Sequence, residues 1–307
     1  MTQTAEKLRK IPIALPSVGE EEWMALKEPM LSGWITQGPK VSAFEKEFSN
    51  FHNVNHSLAV TSCTTGLHLA LAAMAIGPGD EVIVPAFTWV ATANVVLHCG
   101  ATPVFCDVDT STFNIKIDDI KSKITDRTKA IIPVHLFGLC ADMDALKKVI
   151  PDHVNILEDA ACAAGASYKN NFAGSLGDMA AFSFHPRKSI TTGEGGMVTT
   201  NDKGLYQVAE TMRNHGAEVS EEVRHVSPKP YMLPDFKTLG FNYRMTDIQA
   251  AIGLVQLKKL NTIISEREQW AQYYTEKLKD IKWLRPQAVP DYITQHAWQA
   301  YVCYVES

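Results

Sequence analysis

The sequence predicts an α/β fold: a mostly parallel, seven-stranded sheet with helices on both faces. Two observations point there. Seven short β-branched runs, Ser57–Thr61, Glu81–Val84, Thr102–Val108, Ala130–Val134, Val154–Glu158, Met179–Phe184 and Gly196–Thr200, are each bounded by turn residues. Most are apolar almost throughout, as strands buried on both faces are. Helical spacing of apolar residues fills the gaps between the early runs, and strand–helix alternation of this kind builds a parallel sheet.

Taken in order, Ser57–Thr61 leads into Thr64–Ala75, whose apolar residues recur at helical spacing until Gly77-Pro78-Gly79-Asp80 breaks the pattern. Glu81–Val84 is followed by the helical pattern Thr88–His98, and the turn Gly100-Ala101-Thr102-Pro103 opens the third strand. Asp142–Val149 is a helix after Gly138. From Thr246 to about Lys279 a long helix carries Ile248, Ala251, Ile252, Leu254, Val255, Leu257 and Leu260, then a charged stretch around Glu266-Arg267-Glu268. Ala297–Val305 alternates like a strand and reaches Ser307 with no closing element. The expected organisation is a large domain over 1–250, with an N-terminal arm over 1–30, and the start of a smaller C-terminal α/β domain over 251–307 that reads as truncated.

The 307 residues fit about two domains. A 46% hydrophobic content supplies a large core, and a net charge of −5 without a basic stripe argues against nucleic acid as a partner. The N-terminus lacks the apolar stretch of a secretory signal, and no apolar run is long enough to span a membrane. The six cysteines (63, 99, 106, 140, 162 and 303) form no Cys-x-x-Cys pair and read as reduced thiols of a cytoplasmic protein. The histidines show no metal-binding spacing, so no metal is expected.

Lys188 stands in Ser183-Phe184-His185-Pro186-Arg187-Lys188-Ser189-Ile190-Thr191-Thr192-Gly193-Glu194-Gly195-Gly196, after a strand and before a Gly-rich turn. Asp159 closes the run that ends Leu157-Glu158-Asp159. A desolvated, near-neutral lysine that forms a Schiff base, with a carboxylate that keeps a pyridine nitrogen protonated, is what pyridoxal 5'-phosphate (PLP) chemistry requires. The ordinary readings are a surface lysine and a helix N-cap before Ala160–Ala166. Ser62-Cys63-Thr64-Thr65-Gly66, between a strand and a helix, offers hydroxyls and backbone N–H groups to a phosphate, or is a plain N-cap. Ser183 is a further candidate hydroxyl, or a strand serine bonded to backbone. Trp89 is placed to stack on a pyridine ring, or to pack in the core. Asn242-Tyr243-Arg244, by its local chemistry, is only a loop.

Together these residues resemble the DegT/DnrJ/EryC1/StrS family, PLP-dependent sugar aminotransferases of aspartate-aminotransferase fold type I. The resemblance runs from Ser32-Gly33-Trp34-Ile35-Thr36-Gln37-Gly38-Pro39 through Phe44-Glu45-Lys46-Glu47-Phe48, Gly79-Asp80-Glu81-Val82-Ile83-Val84-Pro85 and Ala130-Ile131-Ile132-Pro133-Val134-His135-Leu136. It continues through Glu158-Asp159-Ala160-Ala161, the Lys188 loop, Arg213-Asn214-His215-Gly216 and Asn242–Ala251 to His296-Ala297-Trp298. It implies PLP as cofactor, pyridoxamine phosphate (PMP) as intermediate, Lys188 as the Schiff-base lysine and proton shuttle, and Asp159 on the pyridine nitrogen. Trp89 would stack on the ring, while Ser62, Cys63, Thr64 and Ser183 would surround the phosphate. Asn242 would reach the cofactor phosphate of a neighbouring subunit, making a two-fold homodimer part of the site. Trp34, Thr36, His185, Arg213 and Arg244, with the loop Glu218–Asp235, are candidate substrate contacts. Two positions depart from the family: Cys63, where many members have glycine or alanine, and Cys162, near the ring hydroxyl, where many have glutamine or histidine.

The implied reaction moves an amino group from L-glutamate, or L-glutamine, to a keto-sugar, nucleotide-linked and 4-keto or 3-keto. Rivals are a keto-inositol acceptor, a PLP-dependent sugar dehydratase, which retention of Lys188 disfavours, and a non-catalytic PLP-fold regulator. The sugar itself is not legible, because substrate identity lives in loops.

Overall fold

The computed structural model describes residues 11–219, 224, 227–229 and 231–306. Its helices are α1 (Glu20–Ala25), α2 (Lys27–Ser32), α3 (Pro39–His52), α4 (Cys63–Ala73), α5 (Ala91–His98), α6 (Ile117–Lys123), α7 (Met143–Val149), α8 (Lys203–Arg213) and α9 (Asp247–Leu278). Its strands are β1 (His56–Val60), β2 (Glu81–Pro85), β3 (Thr102–Cys106), β4 (Thr128–Ile131), β5 (Asn155–Asp159), β6 (Ser167–Tyr168), β7 (Asn171–Phe172), β8 (Met179–Ser183), β9 (Gly196–Thr200), β10 (Leu284–Pro286), β11 (Ile293–Gln295) and β12 (Cys303–Val305).

The seven runs read from the sequence form one sheet in the order β1-β9-β8-β5-β4-β2-β3. Only β9 runs against the rest: it pairs antiparallel with both β1 and β8, while the remaining neighbours are parallel. Side chains alternate between two cores, one on each face. Ile83, Ile131 and Phe182 join Phe44 and Phe48 of α3 and Leu260 of α9 on one side. Val82, Val84 and Val198 join Leu67, Leu71 and Val95 of α4 and α5 on the other. This is the period-two pattern of strands covered on both faces.

Some local expectations shift. The helix after β2 begins at Ala91 rather than Thr88, so Trp89 lies in the connection before it. Residues 160–166 form no helix, so Asp159 is not an N-cap. Within Ala297–Val305 only Cys303–Val305 is a strand, paired with β10. No described helix is long and apolar enough to cross a membrane.

Helix α9 ties the chain together. Thr246 caps it in a box with Gln249, and the Asp247 carboxylate accepts from the Lys40 and Val41 N–H groups at the start of α3, each at 3.0 Å. Gln256, fully buried on α9, donates to the Ser17 carbonyl and Glu22 while accepting from Thr191 N at 3.2 Å. The arm before α3 is thereby joined to the loop that carries Lys188.

Candidate active site

The carboxyl ends of β5 and β8, with the turn after β1, bring the predicted residues together. Lys188 stands in the connection between antiparallel neighbours β8 and β9. Its N–H donates to the His185 carbonyl at 2.8 Å, and Thr191 Oγ1 and Thr192 N hold the loop to the Phe184 carbonyl. Lys188 Nζ donates to Cys162 Sγ at 3.2 Å. Burial pushes the Lys188 ammonium down, but the Cys162 sulfur and Asp159 offset this and leave it above the ordinary lysine range.

Asp159 is buried at the end of β5. Its Oδ2 accepts from Thr92 Oγ1 at 2.8 Å, and its Oδ1 accepts from Ala161 N at 3.1 Å. Each oxygen keeps a lone pair for a further donor. Cys63 Sγ lies 4.0 Å from Oδ1 and 3.4 Å from the Ala181 carbonyl. Burial, with Asp159 adding to it, pushes the Cys63 thiol well up, so it stays neutral. Neighbouring Glu158 has a different task. Fully buried, it accepts from His135, Gly174, Leu176 and Gly177. Ala141 N donates to His135 Nδ1, which fixes the ring's proton on Nε2, facing Glu158.

Ser62 caps α4: its Oγ accepts from Thr65 N, and Thr65 Oγ1 accepts from Ser62 N. Thr64 is exposed at the second position of that helix. The first-turn N–H groups point out of the helix, where an anion is favoured. Gly196 makes room for this turn, since a Cβ there would lie 2.6 Å from the Ser62 carbonyl carbon and 2.7 Å from Cys63 N. Ser183 ends β8 largely buried, its Oγ accepting from His185 N at 3.3 Å.

Trp89 is 76% exposed, which rules out core packing within the chain and leaves its ring free at the rim. Asn242 is also exposed, on a segment bridged to Asn214 and held by the stack of Phe241 on Tyr243. Trp34 is half-buried, its Nε1 donating to the Gln37 carbonyl, while Thr36 is exposed and its carbonyl accepts from Asp247 N. His185 lines a cavity of about 350 Å³ between the loop of Lys188 and residues Ile13, Ala14 and Pro16 of the arm. Arg244 donates to Asn214 Oδ1 at 2.8 Å.

Arg213 does not fit its expected place as a substrate contact. Only 3% exposed, it is ion-paired with Glu45 and donates to the Ala59 carbonyl, so it is a structural cation of the β1–α3 packing. Of the loop Glu218–Asp235, residues 220–223, 225–226 and 230 lie outside the described residues. Its ends meet through Glu218 N and the Asp235 carbonyl, and its described residues line a cavity of about 400 Å³ with Arg224, Lys229 and Met232. Two contributors escaped the sequence reading, Thr92 and Glu158. A helical threonine carries no signal of its partner, and Glu158 stands next to Asp159 with nothing local to show that the two carboxylates meet different donors.

The arrangement fits PLP. A lysine amine, a buried carboxylate with open lone pairs, a capped helix start with an exposed hydroxyl and an unpacked indole converge at one end of the sheet. Such a fold and site define the class of PLP-dependent aminotransferases. The chain belongs to the DegT/DnrJ/EryC1/StrS aminotransferase family, whose profile matches residues 16–307, and is a PLP-dependent sugar aminotransferase with PMP as the aminated form of its cofactor. It is 43% identical over 297 residues to the spore coat polysaccharide biosynthesis protein SpsC of Bacillus subtilis, covering 96% of this chain and 76% of that one. It is 46% identical over 273 residues to GDP-perosamine synthase of Caulobacter vibrioides, covering 88% and 71%. The fold superposes on Spr1654 of Streptococcus pneumoniae in its PLP form with a TM-score of 0.89 at 31% identity, covering 97% of this chain and 79% of the other. That protein has also been solved in a PMP form.

Proposed function

We propose that the enzyme transfers the amino group of L-glutamate, or L-glutamine, to a nucleotide-linked 4-keto- or 3-keto-deoxysugar, feeding amino-sugar and polysaccharide biosynthesis in the cytoplasm. The observation that carries the reading is the convergence of Lys188 with Asp159 at the carboxyl edge of the sheet. Relatives named for spore coat polysaccharide and for GDP-perosamine support the substrate class. Bound PLP supplies an electron sink that lets an amino group pass from donor to acceptor.

In this reading Lys188 Nζ takes the proton from the donor's Cα and delivers it in the reverse half. Asp159 holds the pyridine nitrogen's proton, and Cys162 lies beside the ring hydroxyl. Ser62, Thr64, Ser183 and the Cys63 N–H bind the phosphate, and Trp89 covers the ring. Asn242 of a second copy completes the phosphate site, so the working unit is a homodimer. Trp34, Thr36, His185 and Arg244 contact substrate, and Arg213 leaves that set. The large unit over 1–250 carries the cofactor, and 251–307 opens the smaller one.

The test is the absorbance spectrum of the PLP-loaded protein with and without L-glutamate. The cofactor's visible band should bleach to a PMP-type spectrum and be absent in Lys188→Ala. A nucleotide-linked keto-sugar should then restore it where a keto-inositol does not. A band untouched by glutamate and glutamine, or restored by the inositol alone, would sink the proposal.

A further inference from the structure

We infer that Thr92 is a positioning residue of this aminotransferase, setting the orientation of Asp159 and tying it to the start of the helix that follows Trp89. The inference rests on the proposed role of Asp159 toward the pyridine nitrogen.

Thr92 is fully buried, and its hydroxyl reaches across 67 residues of sequence to Asp159 Oδ2 at 2.8 Å. A carboxylate only accepts, so the hydroxyl must donate. Its own lone pair then faces Thr88 Oγ1 at 3.4 Å, giving the direction Thr88 to Thr92 to Asp159. The backbone of the same residue serves the other side of the site: Thr92 N donates to the Trp89 carbonyl at 3.1 Å. One residue thus anchors the carboxylate at the ring's edge and the peptide of the indole at the rim.

The choice of threonine has a physical reason. Its β-branched side chain has few rotamers within a helix, so the hydroxyl is held in place before any ligand arrives. Asp159 Oδ1 is fixed by Ala161 N at 3.1 Å, and Thr92 is the side chain that fixes Oδ2. With both oxygens located, the carboxylate plane cannot rotate freely, and its remaining lone pairs have fixed directions. Removing the hydroxyl at constant shape would leave Oδ2 short of a donor and free the carboxylate to turn. A hydrogen bond to a charged group at a buried site is large enough for this to change ligand affinity about tenfold.

The experiment compares Thr92→Val, Thr92→Ser and Asp159→Asn, alone and with Thr92→Val combined with Asp159→Asn. PLP is titrated into each apoprotein, and the pH dependence of the bound cofactor's visible band is recorded. Thr92→Val should weaken PLP binding about tenfold and move the band's pH midpoint, and Thr92→Ser should restore both. In the Asp159→Asn background Thr92→Val should change PLP affinity little, because Thr92 acts through that carboxylate. Wild-type affinity and pH midpoint in a folded Thr92→Val protein would overturn the inference, as would fully additive losses in the double variant. Should Thr92→Val fail to fold, Thr92→Ala is read by the same two measurements. If Asp159→Asn itself binds PLP like the wild type, the Asp159 assignment fails, a result separate from any outcome at Thr92.

Discussion

The fate of each ionisable side chain is decided by what faces it, and Arg213 and Asp159 show both outcomes. Arg213 stands in a segment that matches the family, yet its guanidinium is buried on Glu45 and the Ala59 carbonyl. Arg213→Ala should cost about 3 kcal/mol or more of stability, because Glu45 loses its partner in the interior. The substrate Michaelis constants of the folded remainder should stay within about twofold, as steady-state kinetics beside a denaturation curve would show. Asp159 accepts from Thr92 and Ala161, with the Cys63 sulfur 4.0 Å from Oδ1, and in the proposed reading it turns toward the pyridine nitrogen. Asp159→Asn should slow the glutamate half-reaction by about 100-fold or more with the protein still folded, as single-turnover absorbance would report. Lys188 and Asp159 were legible in the sequence because their neighbours form a recognisable order. Thr92 and the Glu158–His135 pair were not, because each depends on a contact between distant segments that no local pattern encodes.

At the level of elements, the strands were readable because burial on both faces writes an uninterrupted apolar run. Helices were readable where they are long, as in α9, or follow a clear turn, as in α4. Helix α3 buries Val41, Phe44 and Phe48 on one face, but the charged and polar residues between them dilute that pattern in the sequence. Seven-residue α6 is too short to show a period. The closeness of β9 to the start of α4 invites a test. Gly196→Ala puts a methyl against the Ser62–Cys63 peptide and must push that turn aside. PLP affinity should drop several-fold and stability by about 1–3 kcal/mol, measured by cofactor titration and thermal melting. Unchanged PLP binding would show that the turn does not depend on this approach.

Across the whole molecule, buried neutral histidines set the response to acid. Burial pushes both His52 and His296 down to about 3. His52 is held as a neutral ring, with Gly165 N donating to Nε2 and Nδ1 facing the Phe48 carbonyl. In the unfolded chain both rings take up protons below about pH 6.5, while the folded protein resists until about 3. The unfolded state therefore binds more protons in that window, and stability falls with pH from about 6.5 down to about 3. Glu22 adds a second, lower window: burial pushes it up, but Lys259, Gln256 and the Gly19 N–H outweigh that and hold it at about 2. Its contribution is complete above about 4.5 and is lost as pH falls toward 2. Urea midpoints from pH 7 to pH 4 should decline steadily, and less steeply in His52→Gln. A flat profile in the wild type would contradict both assignments.

The reversed strand has a consequence for the order in which the chain comes together. Because β9 returns beside β8, the lysine is presented on a hairpin whose two strands meet after a short excursion. The contact between Asp247 and Val41 instead spans 206 residues, and that between Thr92 and Asp159 spans 67. Local pairings close early and distant ones late. A cofactor that needs the distant contacts around Lys188 and Asp159 would bind only once those contacts are made. PLP should accordingly slow unfolding while leaving the rate of refolding unchanged.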